Sequence, residues 1–68
     1  MKITTQVGQT IEVRAAKVEG KQIICKFPSK HEGFPLGIYK NTHRALEVFE
    51  EIWKASDKGD LEFKMPKV

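Results

Sequence analysis

The stretch from residue 3 to residue 27, ITTQVGQTIEVRAAKVEGKQIICKF, decides the fold. Apolar side chains fall on odd positions, at Ile3, Ile11, Val13, Ala15, Ile23, Cys25 and Phe27. A period of two is the mark of strands with one buried face. Gly8 and Gly20 punctuate the run. Two-residue turns, with Val7 opposite Thr10 and Val18 opposite Lys21, would set odd positions against even ones and split the apolar set over both faces. A three-residue loop, a type I turn closed by a left-handed glycine, fits Gln6-Val7-Gly8 and Val18-Glu19-Gly20 and keeps one parity. It pairs Ile3 with Ile11, Ala15 with Ile23, Val13 with Cys25 and Ile11 with Phe27, giving a three-stranded meander with a single buried side.

Beyond this run, residues 28–35 hold two prolines, a glycine and mixed polarity, the composition of a loop. Leu36, Gly37, Ile38 and Tyr39 follow as a short fourth strand. Asn41 and Thr42 supply a helix N-cap, the Thr hydroxyl being able to accept a backbone N–H of the first turn. The helix is expected from about His43 to Asp57 or Lys58, with Gly59 as the left-handed residue that ends it. Leu61, Phe63 and Met65 then alternate with Glu62 and Lys64 as a last strand, which Pro66 stops. The expected fold is a single α+β domain over residues 1–68, an antiparallel meander of four to five strands with one helix packed on one face, in the order β-β-β-β-α-β.

Placed on a wheel at about 100° per residue, the helix sets Ala45, Leu46, Val48, Phe49, Ile52, Trp53, Ala55 and Ser56 over roughly half its circumference. Glu47, Glu50, Glu51 and Lys54 fill the opposite arc. A helix on one sheet needs only a stripe a little over 100° wide. Either the 28–35 loop and the last strand wrap its flanks, or a second chain does. In the second case Leu46 and Trp53 are the contact residues, and Ile24, at an even position near Ala16, adds an apolar spot on the outer sheet face.

Four pieces of this sequence form a pattern: Leu36-Gly37-Ile38-Tyr39, Thr42-His43-Arg44-Ala45, the helix body from Glu47 to Ile52, and Phe63-Lys64-Met65-Pro66. Over residues 36–66 the chain resembles a group of short uncharacterised proteins of phage and prophage type in Gram-positive bacteria. These carry leucine-glycine-x-tyrosine, threonine-x-x-arginine-alanine, valine-x-x-glutamate-isoleucine and methionine-proline in that order. The likeness departs at His43, where such helices tend to start with an acidic residue that favours the helix dipole. It implies a context and no activity. Structural roles account for the matched residues: Gly37 for close approach of the helix, Arg44 and Ala45 for seating the first turn, and Tyr39 for closing the core edge with its hydroxyl in water.

Composition narrows the function further. The chain has 68 residues, 40% hydrophobic and 31% charged, with a formal net charge of +3. A domain of this size buries only about 60% of its unfolded surface, and its core seldom contributes more than roughly 3–5 kcal/mol. The single cysteine excludes an intrachain disulfide, so a partner chain is one way to complete such a fold. Apolar runs of two or three residues cannot span a membrane, and the first residues lack the apolar stretch of a secretory signal, which gives a cytoplasmic expectation.

No segment carries recognisable catalytic chemistry. Cys25 points into the core beside Val13, where an apolar setting makes a thiol inert, and His31 in the loop is the one base that could approach it. Cys25, His31 and His43 are scattered and lack metal-site spacing, and no glycine-rich phosphate loop follows a strand. The expectation is a non-enzymatic domain without metal or cofactor. Nucleic-acid binding is the sharper alternative, because residues 1–44 hold eight Lys/Arg and three Glu, a net +5, whereas residues 45–68 hold four Lys and six Asp/Glu, a net −2. Arg14, Lys17, Lys21, Lys26 and Lys30 are its candidate phosphate contacts, with Lys17 and Lys21 opposed beside a turn. Against it, Glu12 would sit between Lys2 and Lys26 as cross-strand ion pairs, and Phe34 is the one aromatic left to stack a base. Docking to itself, or to a phage or host protein, is the favoured reading.

Overall fold

The computed structural model describes residues 1–26 and 33–68. Six short strands and one helix follow in the order β1 (Lys2–Thr4), β2 (Thr10–Glu12), β3 (Ala16–Glu19), β4 (Gln22–Cys25), β5 (Pro35–Ile38), α1 (Thr42–Asp57) and β6 (Glu62–Lys64). The α+β class is as expected, but the strands form two sheets of three, β2-β1-β6 and β3-β4-β5, rather than one.

The first hairpin has the expected register. Ile3 faces Ile11 and Thr4 faces Thr10, and the Gly8 N–H donates to the Thr5 carbonyl across a loop that ends in a left-handed glycine at φ +87°. The second hairpin differs. Glu19 faces Gln22, so Gly20 and Lys21 form a two-residue turn, with a positive φ at Gly20 alone, the pattern of a type II′ turn. Val18 therefore faces Ile23 and Ala16 faces Cys25, in place of the expected pairs Ala15 with Ile23 and Val13 with Cys25. Mixing parities is harmless here because the chain leaves the first sheet after β2 and starts a second one at Ala16, with an independent inward face. The expected pair of Ile11 with Phe27 falls outside the described residues, as do Lys30 and His31.

Between β4 and β5 the register shifts at Ile23 and Ile24, which face Gly37 and Pro35. The last strand inserts beside β1 and runs parallel to it, with Ile3 facing Phe63. Its start is later than the alternation suggests: Leu61 lies before β6 and is 81% exposed, while Met65 is buried.

Helix α1 is capped at both ends. The Asn41 Oδ1, rather than the Thr42 hydroxyl, accepts the Arg44 N–H at 2.8 Å. At the other end Asp60 N–H donates to the Ala55 carbonyl and Gly59 N–H to the Ser56 carbonyl, the paired bonds of a Schellman motif around Gly59 at φ +85°. Ala45, Val48, Ile52 and Ala55 form the buried stripe, which packs over β3 and β4. Ile3, Ile23, Leu36, Val48, Cys25 and Met65 are the fully buried side chains at the centre, drawn from both sheets and the helix.

One side chain laces the sheets together. The Gln6 carboxamide treats β5 as a strand would, its Oε1 accepting the Ile38 N–H at 2.6 Å and its Nε2 donating to the Ile38 carbonyl at 3.1 Å. The same Nε2 reaches the Pro66 and Lys67 carbonyls. Since Gln6 directly follows β1 and Thr5, it ties the first sheet, the second sheet and the tail after β6 at one corner.

Candidate functional site

The wide apolar arc of α1 is only partly covered. Leu46 is 50% exposed and Trp53 is 63% exposed, two turns apart on one flank. Phe49, between them, is half-buried and packs against the core. An indole left this open on a small domain is large apolar area facing water, the type of surface that marks contacts.

Next to Trp53 the helix stands away from the place where the sheets part, leaving a cleft of about 300 Å³. Met1 and Phe49 wall it over a floor of buried Ile3, Val13 and Ile52, and Trp53 and Arg14 stand at its lips. The break in the sheet after Val13 opens this space, so the feature that overturns the expected register also makes the cleft. No acidic residue lines it among the described residues.

Ile24 does not contribute an outer apolar spot. It is 9% exposed, its ladder partners are Lys17 and Pro35, and Ala16 faces Cys25 and packs inward instead of beside it. Alternation along β4 places Ile24 opposite the core face, which is sound, but that side is covered too.

The expected cations are exposed at Arg14, Lys17, Lys21 and Lys26, and they do not form one patch. Lys17 faces Ile24 across the ladder rather than Lys21 and pairs with Glu19 at 3.5 Å. Lys21 sits in the turn, whereas Arg14 and Lys26 flank the other end of the β3–β4 hairpin, about 13 Å away for a strand of four residues. Glu12 faces Lys2 as expected, but not Lys26, whose N–H donates to the Ala15 carbonyl. Its carboxylate instead meets the amino terminus at 3.1 Å, and that hydrogen bond and charge, with help from Lys2, hold its pKa below the ordinary carboxylate value. Phe34 is half-buried and packed on the core, so it is not the stacking platform expected.

Three of the four acids of the helix are ion-paired, Asp57 being the exception among the described residues. Glu50 pairs with Lys54 at 3.4 Å, and Arg44 reaches Glu47 at 3.6 Å and Glu51 at 3.7 Å. His43, far out in solvent, lies 3.8 Å from Glu47. Cys25 is a free thiol, 1% exposed. Among the described residues no three His, Cys, Asp or Glu side chains converge in a way that could hold a metal ion, and no helix is long and apolar enough to cross a membrane.

Of the residues that carried the resemblance, Gly37, Tyr39, Arg44, Met65 and Pro66 meet at one corner. A Cβ on Gly37 would lie 2.8 Å from the Tyr39 hydroxyl oxygen and 3.0 Å from Met65 Cε, so Gly37 makes room for Tyr39 and Met65 and not for the helix. The Tyr39 hydroxyl is not in water: it donates to the Pro66 carbonyl at 2.9 Å, and the residue is 3% exposed. Burial raises its pKa above the usual phenol value, the nearby Arg44 charge opposing this. The Arg44 guanidinium lies 5.9 Å from the Tyr39 ring centre and donates to the Val68 carbonyl at 3.1 Å. The corner holds the tail after β6.

The site that sequence reasoning missed is the cleft. Its walls all read as core positions, and only the unforeseen gap between the sheets separates them. Compared with protein-family models, curated proteins and solved structures, the chain matches none.

Proposed function

We propose that this chain is a non-enzymatic protein–protein interaction module of phage type that docks through the open flank of α1. The observation that carries this reading is Trp53, an indole 63% exposed beside an apolar cleft, on a helix whose Glu47, Glu50 and Glu51 are already paired. Such a ring is the kind of group that anchors contacts, since aromatic side chains dominate contact energetics. Leu46, two turns away on the same flank, lengthens the surface to one that an antiparallel helix can follow. In a symmetric pair of chains, Trp53 of each would lie over Leu46 of the other, so self-association is the first form to test. The buried, reduced Cys25 suits a cytoplasmic setting.

Sedimentation equilibrium of wild type and of a Leu46→Ala, Trp53→Ala double mutant at micromolar concentration is the first arm. Association of the wild type alone is expected, with stability changed by no more than about 0.5 kcal/mol because both side chains are largely exposed. The second arm immobilises both proteins and compares what each retains from host and phage lysates. A wild type that stays monomeric and retains the same proteins as the double mutant would end the reading.

A further inference from the structure

The geometry points to the cleft between α1 and the parting of the sheets as an anchor pocket for an acidic protein segment, one that presents a large apolar side chain next to an Asp or Glu. The proposal rests on the interaction-module reading and assigns the chemistry of its partner. Three observations carry it. First, about 300 Å³ is at the small end of ligand cavities and matches one aromatic or long aliphatic side chain. Phe49 and Trp53 give it partly exposed apolar sides over a floor of buried Ile3, Val13 and Ile52, so a polar anchor would lose its hydration without replacement.

Second, the one charged side chain in its lining is cationic, and Glu12, which approaches at the Met1 edge, is already paired with the amino terminus at 3.1 Å. Arg14 stands at the lip, and Lys26 follows at the same end of the hairpin through its hydrogen bond to Ala15. Neither has an ion-pair partner among the described residues, in contrast with Lys17, Arg44, Lys54 and Lys58. A guanidinium presents a planar fork that matches a carboxylate, and a partner charge placed there sits against low-dielectric walls instead of open water. Third, the apolar surface does not end at the cleft. Trp53 and Leu46 continue it along the helix, which an enclosed small molecule would not use and an extended chain would. A nucleic acid fits less well, because the cations at the cleft mouth are not continued along a track: Lys21, the next unpaired one on this hairpin, stands at its far end.

The test uses two capped tripeptides, glutamate-phenylalanine-glutamate and lysine-phenylalanine-lysine, titrated into the whole protein. Readouts are the emission of Trp53, the sole tryptophan, and backbone amide shifts. The acidic peptide should move Trp53 emission to the blue, shift the amides of Arg14, Ile52 and Trp53, and bind in the millimolar range expected for a fragment. It should exceed the lysine peptide by about tenfold, with the order reversed in Arg14→Glu, since an attraction becomes a repulsion. Arg14 is exposed, so its replacement leaves the fold intact; Ser56→Leu, which narrows the cleft from the helix side, should weaken both peptides. Equal affinities, or indifference to Arg14→Glu, overturn the proposal. Shifts centred on Leu46 and absent from the cleft overturn it while leaving the interaction module standing. No shift with either peptide up to about 10 mM, in a protein that still self-associates or captures a partner, likewise removes the cleft and spares the module. A single-stranded oligonucleotide that moves Trp53 and Arg14 when the acidic peptide does not would assign the pocket to a stacked base and overturn the proposal.

Discussion

Gly37 shows how one missing carbon places three other residues. With no Cβ there, the Tyr39 ring and the Met65 methyl occupy the space, Tyr39 reaches the Pro66 carbonyl, and Arg44 can lie near the ring. Gly37→Ala would force a contact of 2.8 Å onto the Tyr39 hydroxyl oxygen. Overpacking of this kind costs about 1–3 kcal/mol, so thermal denaturation after this substitution should show a clear fall in Tm. Tyr39 is also the sole tyrosine, so its titration can be followed without interference. Burial puts its folded pKa above the unfolded value near 10, and the neutral phenol therefore favours the fold. That contribution is complete below the unfolded value and disappears as pH rises through the folded one. Absorbance of phenolate should give a midpoint above 10 in the native protein and near 10 in denaturant. Equal midpoints would show the ring to be open to water.

At the scale of elements, the helix is legible in the sequence apart from its capping acceptor, which is Asn41 and not the expected Thr42 hydroxyl, and the second hairpin is not. Asn41, the apolar spacing from Ala45 to Ala55 and Gly59 each act locally, and each is used as its chemistry suggests. Asn41→Ala should cost about 1 kcal/mol by leaving the Arg44 N–H without its acceptor, measurable as a lower denaturant midpoint at unchanged slope. The hairpin is hidden at Ala15 and Ala16. Two adjacent small apolar residues fit an inward face of either parity, so they conceal the step at which the chain changes sheet. Val18 and Ile24, the apolar residues that break the odd-position rule, are the local sign of that step. The first hairpin has no such ambiguous pair, and its register follows from the alternation alone. The cleft inherits the same illegibility, because a gap between sheets has no residue of its own, while Trp53 and Leu46 are marked by the excess width of the helix's apolar arc.

Across the whole molecule, charge is distributed rather than focused. Glu47, Glu50 and Glu51 of the helix are paired with neighbouring cations, and Arg14 and Lys26 stand at the opposite end of one hairpin from Lys21. Generic single- and double-stranded oligonucleotides should therefore bind weakly in fluorescence anisotropy, with a log–log salt slope shallower than about −3. A steeper slope would point to a phosphate track. The Gln6 side chain bonds both backbone groups of Ile38, so Gln6→Ala should cost about 1–3 kcal/mol and speed hydrogen exchange at the Ile38 amide more than at helix amides. The parallel pairing of β1 with β6 has a further consequence in time. During translation β1 emerges first, finds β2 within a few residues, and then must wait with one edge open until Glu62 to Lys64 have left the ribosome. Emergence of this last strand, rather than growth of any earlier element, is thus the event that completes the first sheet, and until β6 docks the β1 edge that becomes central in the finished fold is open to unwanted strand pairing.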